Sequence, residues 1–168
     1  MTHVVLSIGS NIEREANTRY AIREIGRQYG ELDVSPVYET SSVGFDGPAF
    51  FNLIVGLHSS QTLPQVIDTL RGIECGAGRV RGAKTFDSRV LDIDVVLYGD
   101  ENFRDRGYNV PRDEIEKYAY VLKPLSDIYP DLIHPVVGVS IAEMWRRFEL
   151  KDQTIFMAEF PIDSADPD

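Results

Sequence analysis

Residues Phe86 to Gly99 set two carboxylates inside a run that is otherwise apolar and β-branched. Such a run must bury itself in a sheet and find a use for its charges. At strand periodicity Leu91, Ile93, Val95 and Leu97 fall on one face, and Asp92 and Asp94 project together from the other. Like charges side by side raise a pKa or cost stability unless a cation lies between them, and hard oxygen ligands at this spacing suit Mg²⁺. Arg89 stands just ahead of the pair, placed to hold a phosphate beside such a metal. A half-solvated antiparallel strand would show the same alternation. Val96 and Tyr98, next on the carboxylate face, return it to apolar character, so the charges are local and favour a site.

The rest of the chain sets bounds. With 168 residues, 43% of them hydrophobic, a single domain over residues 1–162 is expected, with a frayed acidic tail at 163–168. No apolar run approaches the roughly 18 to 20 residues of a membrane span. The opening residues lack a basic and then apolar leader, so a cytoplasmic location is expected. Cys75, the single cysteine, reads as a small buried hydrophobe. A net charge of −10 argues against a nucleic-acid partner. Residues 71–89 nevertheless hold five basic and two acidic side chains, a local +3 that runs straight into the Asp pair. A solvated loop would carry that composition too, but the juxtaposition suits one site for a polyanion and its metal. A monomer is expected.

Taken in order, His3 to Ile8 reads as a central strand ending in a tight turn at Gly9-Ser10-Asn11, with Asn11 as helix cap. Ala16, Ile22, Ile25 and Tyr29 then form a helical stripe that Gly30 ends. Leu32 to Thr40 resumes strand character around Pro36, a residue of edges and bulges. After a loop from Ser41 to Pro48, Ala49 to Leu57 reads as a buried strand whose Asn52 must either tie down backbone or read a ligand. Thr62-Leu63-Pro64-Gln65 has capping-box form, with Leu63, Val66, Ile67, Leu70 and Ile73 as the stripe behind it. Asp113 with Glu116 has the form of another helix start. Ser140 to Glu143 is a second capping box, and Ile141, Met144, Trp145 and Phe148 are expected in the core. Thr154 to Phe160 reads as a last strand. The order β-α-β-β-α-β predicts an α+β, ferredoxin-like α/β sandwich with helices packed on a mostly antiparallel sheet.

Several motifs in this order resemble the 6-hydroxymethyl-7,8-dihydropterin pyrophosphokinase family. They are Ile8-Gly9-Ser10-Asn11, Tyr38-Glu39-Thr40, Phe51-Asn52, Ile73-Glu74 with Gly78-Arg79-Val80-Arg81, Arg89-Val90-Leu91-Asp92-Ile93-Asp94, and Tyr120 to Leu125. The resemblance spans roughly residues 4–150. It implies an ATP-dependent diphosphotransferase of folate biosynthesis. In that reading Asp92 and Asp94 hold two Mg²⁺ ions on the ATP phosphates, and Asn52 bonds the pterin edge. Phe50 and Tyr120 would sandwich the pterin, with Gly9, Thr40, Ser41 and Val43 lining the same pocket. Arg79 and Arg89 would serve catalysis, and Arg71, Arg79, Arg81, Phe86, Arg89, Val95 and Arg112 would serve ATP.

The departures from the family fall more on the ATP side than on the pterin side. Asp87-Ser88 replaces Gly-Pro, Phe86 replaces a Trp, Arg112 follows Val110-Pro111 where a His is usual, and Tyr118 stands in place of an Arg. Two alternatives accompany the leading one: Asp87, Arg112 and Tyr118 suggest a paralogue that binds a pterin without transfer, and Ser41 and Ser42, which replace prolines common in the family's pterin loop, suggest a pyrophosphokinase acting on a different pterin-like alcohol.

Overall fold

The computed structural model describes residues 1–41, 47–77, 90–160 and 162. Of the expected site residues, Val43, Arg79, Arg81, Phe86 and Arg89 lie outside the described residues, as do Asp87, Ser88 and the 163–168 tail.

The central strand is β1 (Thr2–Ser10), built from an apolar run that is buried on both faces of the sheet. It pairs antiparallel with β4 (Phe50–Ser59) on one side and β5 (Asp92–Tyr98) on the other. Beyond β4 lie β2 (Asp33–Val34) and β3 (Tyr38–Thr40), and β6 (Ile155–Met157) closes the edge beside β3. Pro36 separates β2 from β3, since it has no N–H to donate to a ladder. The order β5-β1-β4-β3 is that of a split βαβ pair, the ferredoxin-like arrangement predicted from the element order.

Two helices lie where periodicity expects them, though of the stripe expected in the first only Ile25 is fully buried. α1 (Arg14–Tyr29) buries Thr18, Ala21 and Ile25, and α2 (Leu63–Gly76) starts on a complete capping box between Thr62 and Gln65. Both cover the face that presents Val4, Leu6, Ile8, Leu53, Val55, Ile93 and Val95. Each of these side chains, when fully buried, contributes about 1.5–3 kcal/mol to stability. The opposite face is also covered. α3 (Glu114–Lys117), α4 (Ala119–Ile128) and α5 (Ile141–Arg147) bring Ile115, Val121, Leu122, Leu125 and Ile141 onto Val5, Ile54, Val96 and Leu97. The molecule is therefore helix, sheet, helix, a layer more than the strand order alone suggests.

Four local expectations are corrected. Leu97 was expected with Ile93 and Val95, and Tyr98 with the carboxylates. The pairing runs Val5 to Leu97 but Leu6 to Val95, so Val96 is an extra residue in a β-bulge that reverses the alternation after it. Leu97 thus packs beneath α4 and Tyr98 beneath α2. Asn11 does not cap α1; Glu13, at φ 41°, stands at the helix start, and Ala16 faces solvent. Cys75 is exposed, because it follows the buried Ile73 and Glu74 by enough rotation to leave the packed face. In α5 only Ile141 is fully buried, while Trp145 and Phe148 stack on each other at the half-buried rim of the outer layer.

Candidate functional site

At the Ser7–Ser10 end of β1 the sheet lines up four strands in one row. Gly9 pairs with Asp92 on β5 and with Asn52 on β4, and Asn52 pairs with Tyr38 on β3. Residues directly opposite on antiparallel strands project to the same face. The next row toward the middle is Asp94, Ser7 and Ile54. This is the face that α4 covers further along, yet here Ser7, Gly9, Phe50, Asp92 and Asp94 keep partial exposure. The helical layer thus leaves an opening over the row.

The loops that define the opening are knitted to the end of β1. The fully buried Ser10 hydroxyl donates to the Val90 carbonyl at 2.5 Å, with the Ile12 carbonyl 3.2 Å away as its alternative acceptor, so it fixes the entry to β5. Asn11, also buried, donates from Nδ2 to the Pro48 carbonyl at 3.3 Å, ahead of β4. The tight turn expected at Gly9-Ser10-Asn11 is not formed: Gly9 and Ser10 are the last strand residues of β1, paired on both sides at Gly9, and with Asn11 after them they are the joint that sets Asp92 and Asn52 in register.

On the β4 side, Asn52 is 6% exposed and donates from Nδ2 to Thr40 Oγ1 at 2.9 Å and to the Tyr38 carbonyl at 3.5 Å. Its Oδ1 lies over Gly9, 3.4 Å from where a Cβ on Gly9 would stand. One end of the amide thus ties down β3, and the acceptor end faces the glycine gap. Phe50 shares this face two residues earlier, half-buried, and Ser41 is exposed just past β3. Tyr120, at the start of α4, stacks on Tyr118 with ring centroids 5.1 Å apart and planes 18° apart. Burial, helped by Glu114, pushes the Tyr120 hydroxyl well above the usual phenol range, so it stays neutral. Tyr38 anchors α4 by donating its hydroxyl to Asp127.

The β5 side is charged. Asp94 is flanked by Arg71 from α2, at 3.6 Å, and by Arg112, at 3.7 Å. Arg71 is itself held by Glu74 at 2.5 Å, and Arg112 by Glu114 at 3.1 Å. Glu74 is 1% exposed and also accepts from the Ile93 backbone N–H at 2.9 Å, linking α2 to β5. Burial works against the charge on Arg112, and Asp94 and Glu114 more than offset it. Val95 faces the other way, into the core beneath α2, so only its backbone belongs to the site's strand.

Of the expected residues, the structure brings Gly9, Thr40, Asn52, Asp92 and Asp94 together on the sheet, with Arg71 and Arg112 converging on Asp94. Glu74 has no role in the sequence reading. Its signal is a carboxylate three residues after Arg71 on the buried face of an amphipathic helix. No group of three or more His, Cys, Asp or Glu among the described residues is arranged to hold a metal. No helix among them is long and apolar enough to cross a membrane.

Residues 5–130 match the profile of the family described as 7,8-dihydro-6-hydroxymethylpterin-pyrophosphokinase. The chain is 32% identical to the Synechocystis sp. 2-amino-4-hydroxy-6-hydroxymethyldihydropteridine pyrophosphokinase, over 83% of this chain and 73% of that protein. It is 31% identical to the Aquifex aeolicus protein of the same name, over 85% and 90%. It is 33% identical to the Pneumocystis carinii folic acid synthesis protein fol1, over 86% of this chain but only 20% of that longer protein. A Plasmodium falciparum HPPK-DHPS crystal structure superposes with a TM-score of 0.65 at 14% identity, covering 87% of this chain and 43% of that one, which speaks for the fold alone. By the profile match and the bacterial relatives, the chain belongs to the 7,8-dihydro-6-hydroxymethylpterin-pyrophosphokinase (HPPK) family.

Proposed function

We propose that this chain transfers diphosphate from ATP to the hydroxymethyl group of 6-hydroxymethyl-7,8-dihydropterin, releasing AMP, a step of folate biosynthesis. The observation that carries this reading is the single row in which an amide reader, Asn52, and a carboxylate, Asp92, flank the side-chain-free Gly9, in a chain of this family. A flat heterocycle over Gly9 would meet the Asn52 amide at its edge, with Phe50 and Tyr120 as its aromatic walls and Thr40 and Ser41 around it; Val43 belongs to the same proposal from the sequence alone. Its exocyclic hydroxyl would then point along the sheet toward Asp92 and Asp94.

The donor set fits Mg²⁺. Two carboxylates two residues apart on one strand, with Asp94 26% exposed, offer hard oxygens and leave the remaining positions to phosphate oxygens and water. Two ions at Asp92 and Asp94 would neutralise charge developing on the transferred group. The hydroxyl oxygen attacks the β-phosphorus and gives up its proton to solvent, the bond from that phosphorus to the oxygen bridging it to the α-phosphorus breaks, and AMP leaves with that oxygen. The chain's own part is positioning and positive charge. Arg71 and Arg112 stand beside Asp94, and Arg79, Arg81, Phe86 and Arg89 belong to the same proposal from the sequence. Tyr118, which replaces a family arginine, extends the aromatic wall through its stack on Tyr120.

The test is a product assay with MgATP and the hydroxymethylpterin, resolving AMP from ADP. AMP together with a diphosphorylated pterin is the expected outcome. Pterin binding without AMP formation would refute transfer, and AMP formation only with a different alcohol would refute the acceptor.

A further inference from the structure

Asp94 meets a guanidinium at each of its oxygens. Oδ1 lies 3.6 Å from Arg71 Nη2, and Oδ2 lies 3.7 Å from Arg112 Nη2. Both separations exceed a hydrogen bond, so they are charge contacts that can open without breaking a directed bond. Each arginine also has a nearer carboxylate of its own, Glu74 at 2.5 Å for Arg71 and Glu114 at 3.1 Å for Arg112. Neither guanidinium therefore depends on Asp94 for its place. They come from independent supports: Arg71 from α2, and Arg112 from a segment whose backbone N–H donates to the Val96 carbonyl at 2.9 Å. The Arg112 Nε is buried and has no hydrogen-bond partner among the described residues, so this side chain has donor capacity left to give.

We infer that Arg71 and Arg112 are built-in counter-cations of Asp94, which admits a divalent metal readily only when a polyphosphate draws the two guanidiniums away. The inference rests on the diphosphate-transfer reading and adds to it a coupling between nucleotide and metal. A bare divalent ion approaching Asp94 faces two positive charges already within about 4 Å of the same oxygens. Phosphate oxygens reverse that balance, because a guanidinium fork binds them bidentately and the metal then meets phosphate and carboxylate together. Coupling of this kind is reciprocal, so bound metal must strengthen nucleotide binding by the factor by which nucleotide strengthens metal binding.

The probe is Mn²⁺, titrated by electron paramagnetic resonance of the free ion, first alone and then with an α,β-methylene analogue of ATP. Without nucleotide, Arg71→Gln and Arg112→Gln each bind Mn²⁺ on the order of tenfold more tightly than the unaltered protein. Arg112→Lys, which keeps the charge, behaves as the unaltered protein does, and so does Arg104→Gln, whose guanidinium pairs with Glu116 instead. The gain in Mn²⁺ affinity produced by the analogue shrinks in the two Gln variants by the same factor. Thermal melts establish that each variant is folded, and Arg71→Gln carries the test if Arg112→Gln is not. Equal affinity for Mn²⁺ alone in the unaltered protein and the folded Gln variants overturns the inference, whatever the product assay gives. Tighter Mn²⁺ binding in those variants, with no AMP formed by the unaltered protein, upholds the counter-cations and overturns the transfer reading alone.

Discussion

Removing the Glu74 carboxylate tests how the charged side of the site is supported. Glu74 sits on α2 at 1% exposure, with Oε2 accepting from the Ile93 N–H at 2.9 Å and Oε1 from Arg71 at 2.5 Å. In Glu74→Ala the Ile93 N–H, on a fully buried residue, loses that acceptor, and an orphaned buried donor costs about 1–3 kcal/mol. Arg71 is 51% exposed and turns to solvent, so its lost ion pair adds only about 0.5 kcal/mol after screening. The expected total is about 1.5–3.5 kcal/mol, read by urea denaturation, or a fall in Tm of roughly 2–4 °C per kcal/mol for a chain of this size. Glu74→Gln keeps one carbonyl acceptor and recovers about half of the loss. An Ala variant within about 0.5 kcal/mol of the unaltered protein would refute the view that this carboxylate joins α2 to β5.

Three further outcomes follow from particular contacts. Asp94→Ala abolishes AMP formation yet shifts stability by less than about 1 kcal/mol, since its two arginines retain Glu74 and Glu114; a cooperative loss of fold would make Asp94 structural instead. Gly56→Ala puts a Cβ 1.7 Å from the Tyr129 hydroxyl, so the ring must move and give up its 2.6 Å bond to Asp33. The cost is about 1–3 kcal/mol, much reduced in a Tyr129→Ala background, and additive losses in that double mutant would contradict it. His134 is fully buried, and its Nδ1 accepts from the Val136 and Val137 N–H groups, each at 3.1 Å. Burial holds its pKa below the ordinary value of 6.5, against the pull of Glu116. The unfolded chain therefore binds the proton first, and this contribution to stability is complete above pH 6.5 and is lost as pH falls through the lowered folded value. His134→Asn, which offers Oδ1 to the same two donors, flattens the stability profile as pH falls below about 6.5, and an unchanged slope would rule His134 out as its source.

Much of this was legible in the residues because it depends on local periodicity. The capping box at Thr62, the apolar run of β1, the strand carrying Asp92 and Asp94, and the β-α-β-β-α-β order each follow from spacing within a few residues. Spacing also placed both carboxylates on one face. It failed first at the bulge, because the extra residue at Val96 is defined by the partner strand and leaves no mark in the alternation of β5 itself. It failed again where a polar group looked like a cap and was a joint, as in Asn11, which bonds Pro48 instead of opening α1.

What the sequence by itself determined was the family, from motifs in a fixed order along the chain, and the carboxylate pair and the faces of most helices and strands, which are properties of residues close along the chain. The tertiary structure alone decided which distant groups meet: Ser10 with Val90, Glu74 with Ile93, and Arg71 and Arg112 with the two oxygens of Asp94. Those contacts join residues 18 to 80 positions apart, and they exist only because antiparallel pairing around β1 returns β4 and β5 to the same end of the sheet. A charged side chain looks the same in sequence whether it faces water or another charge, and only packing sets the difference.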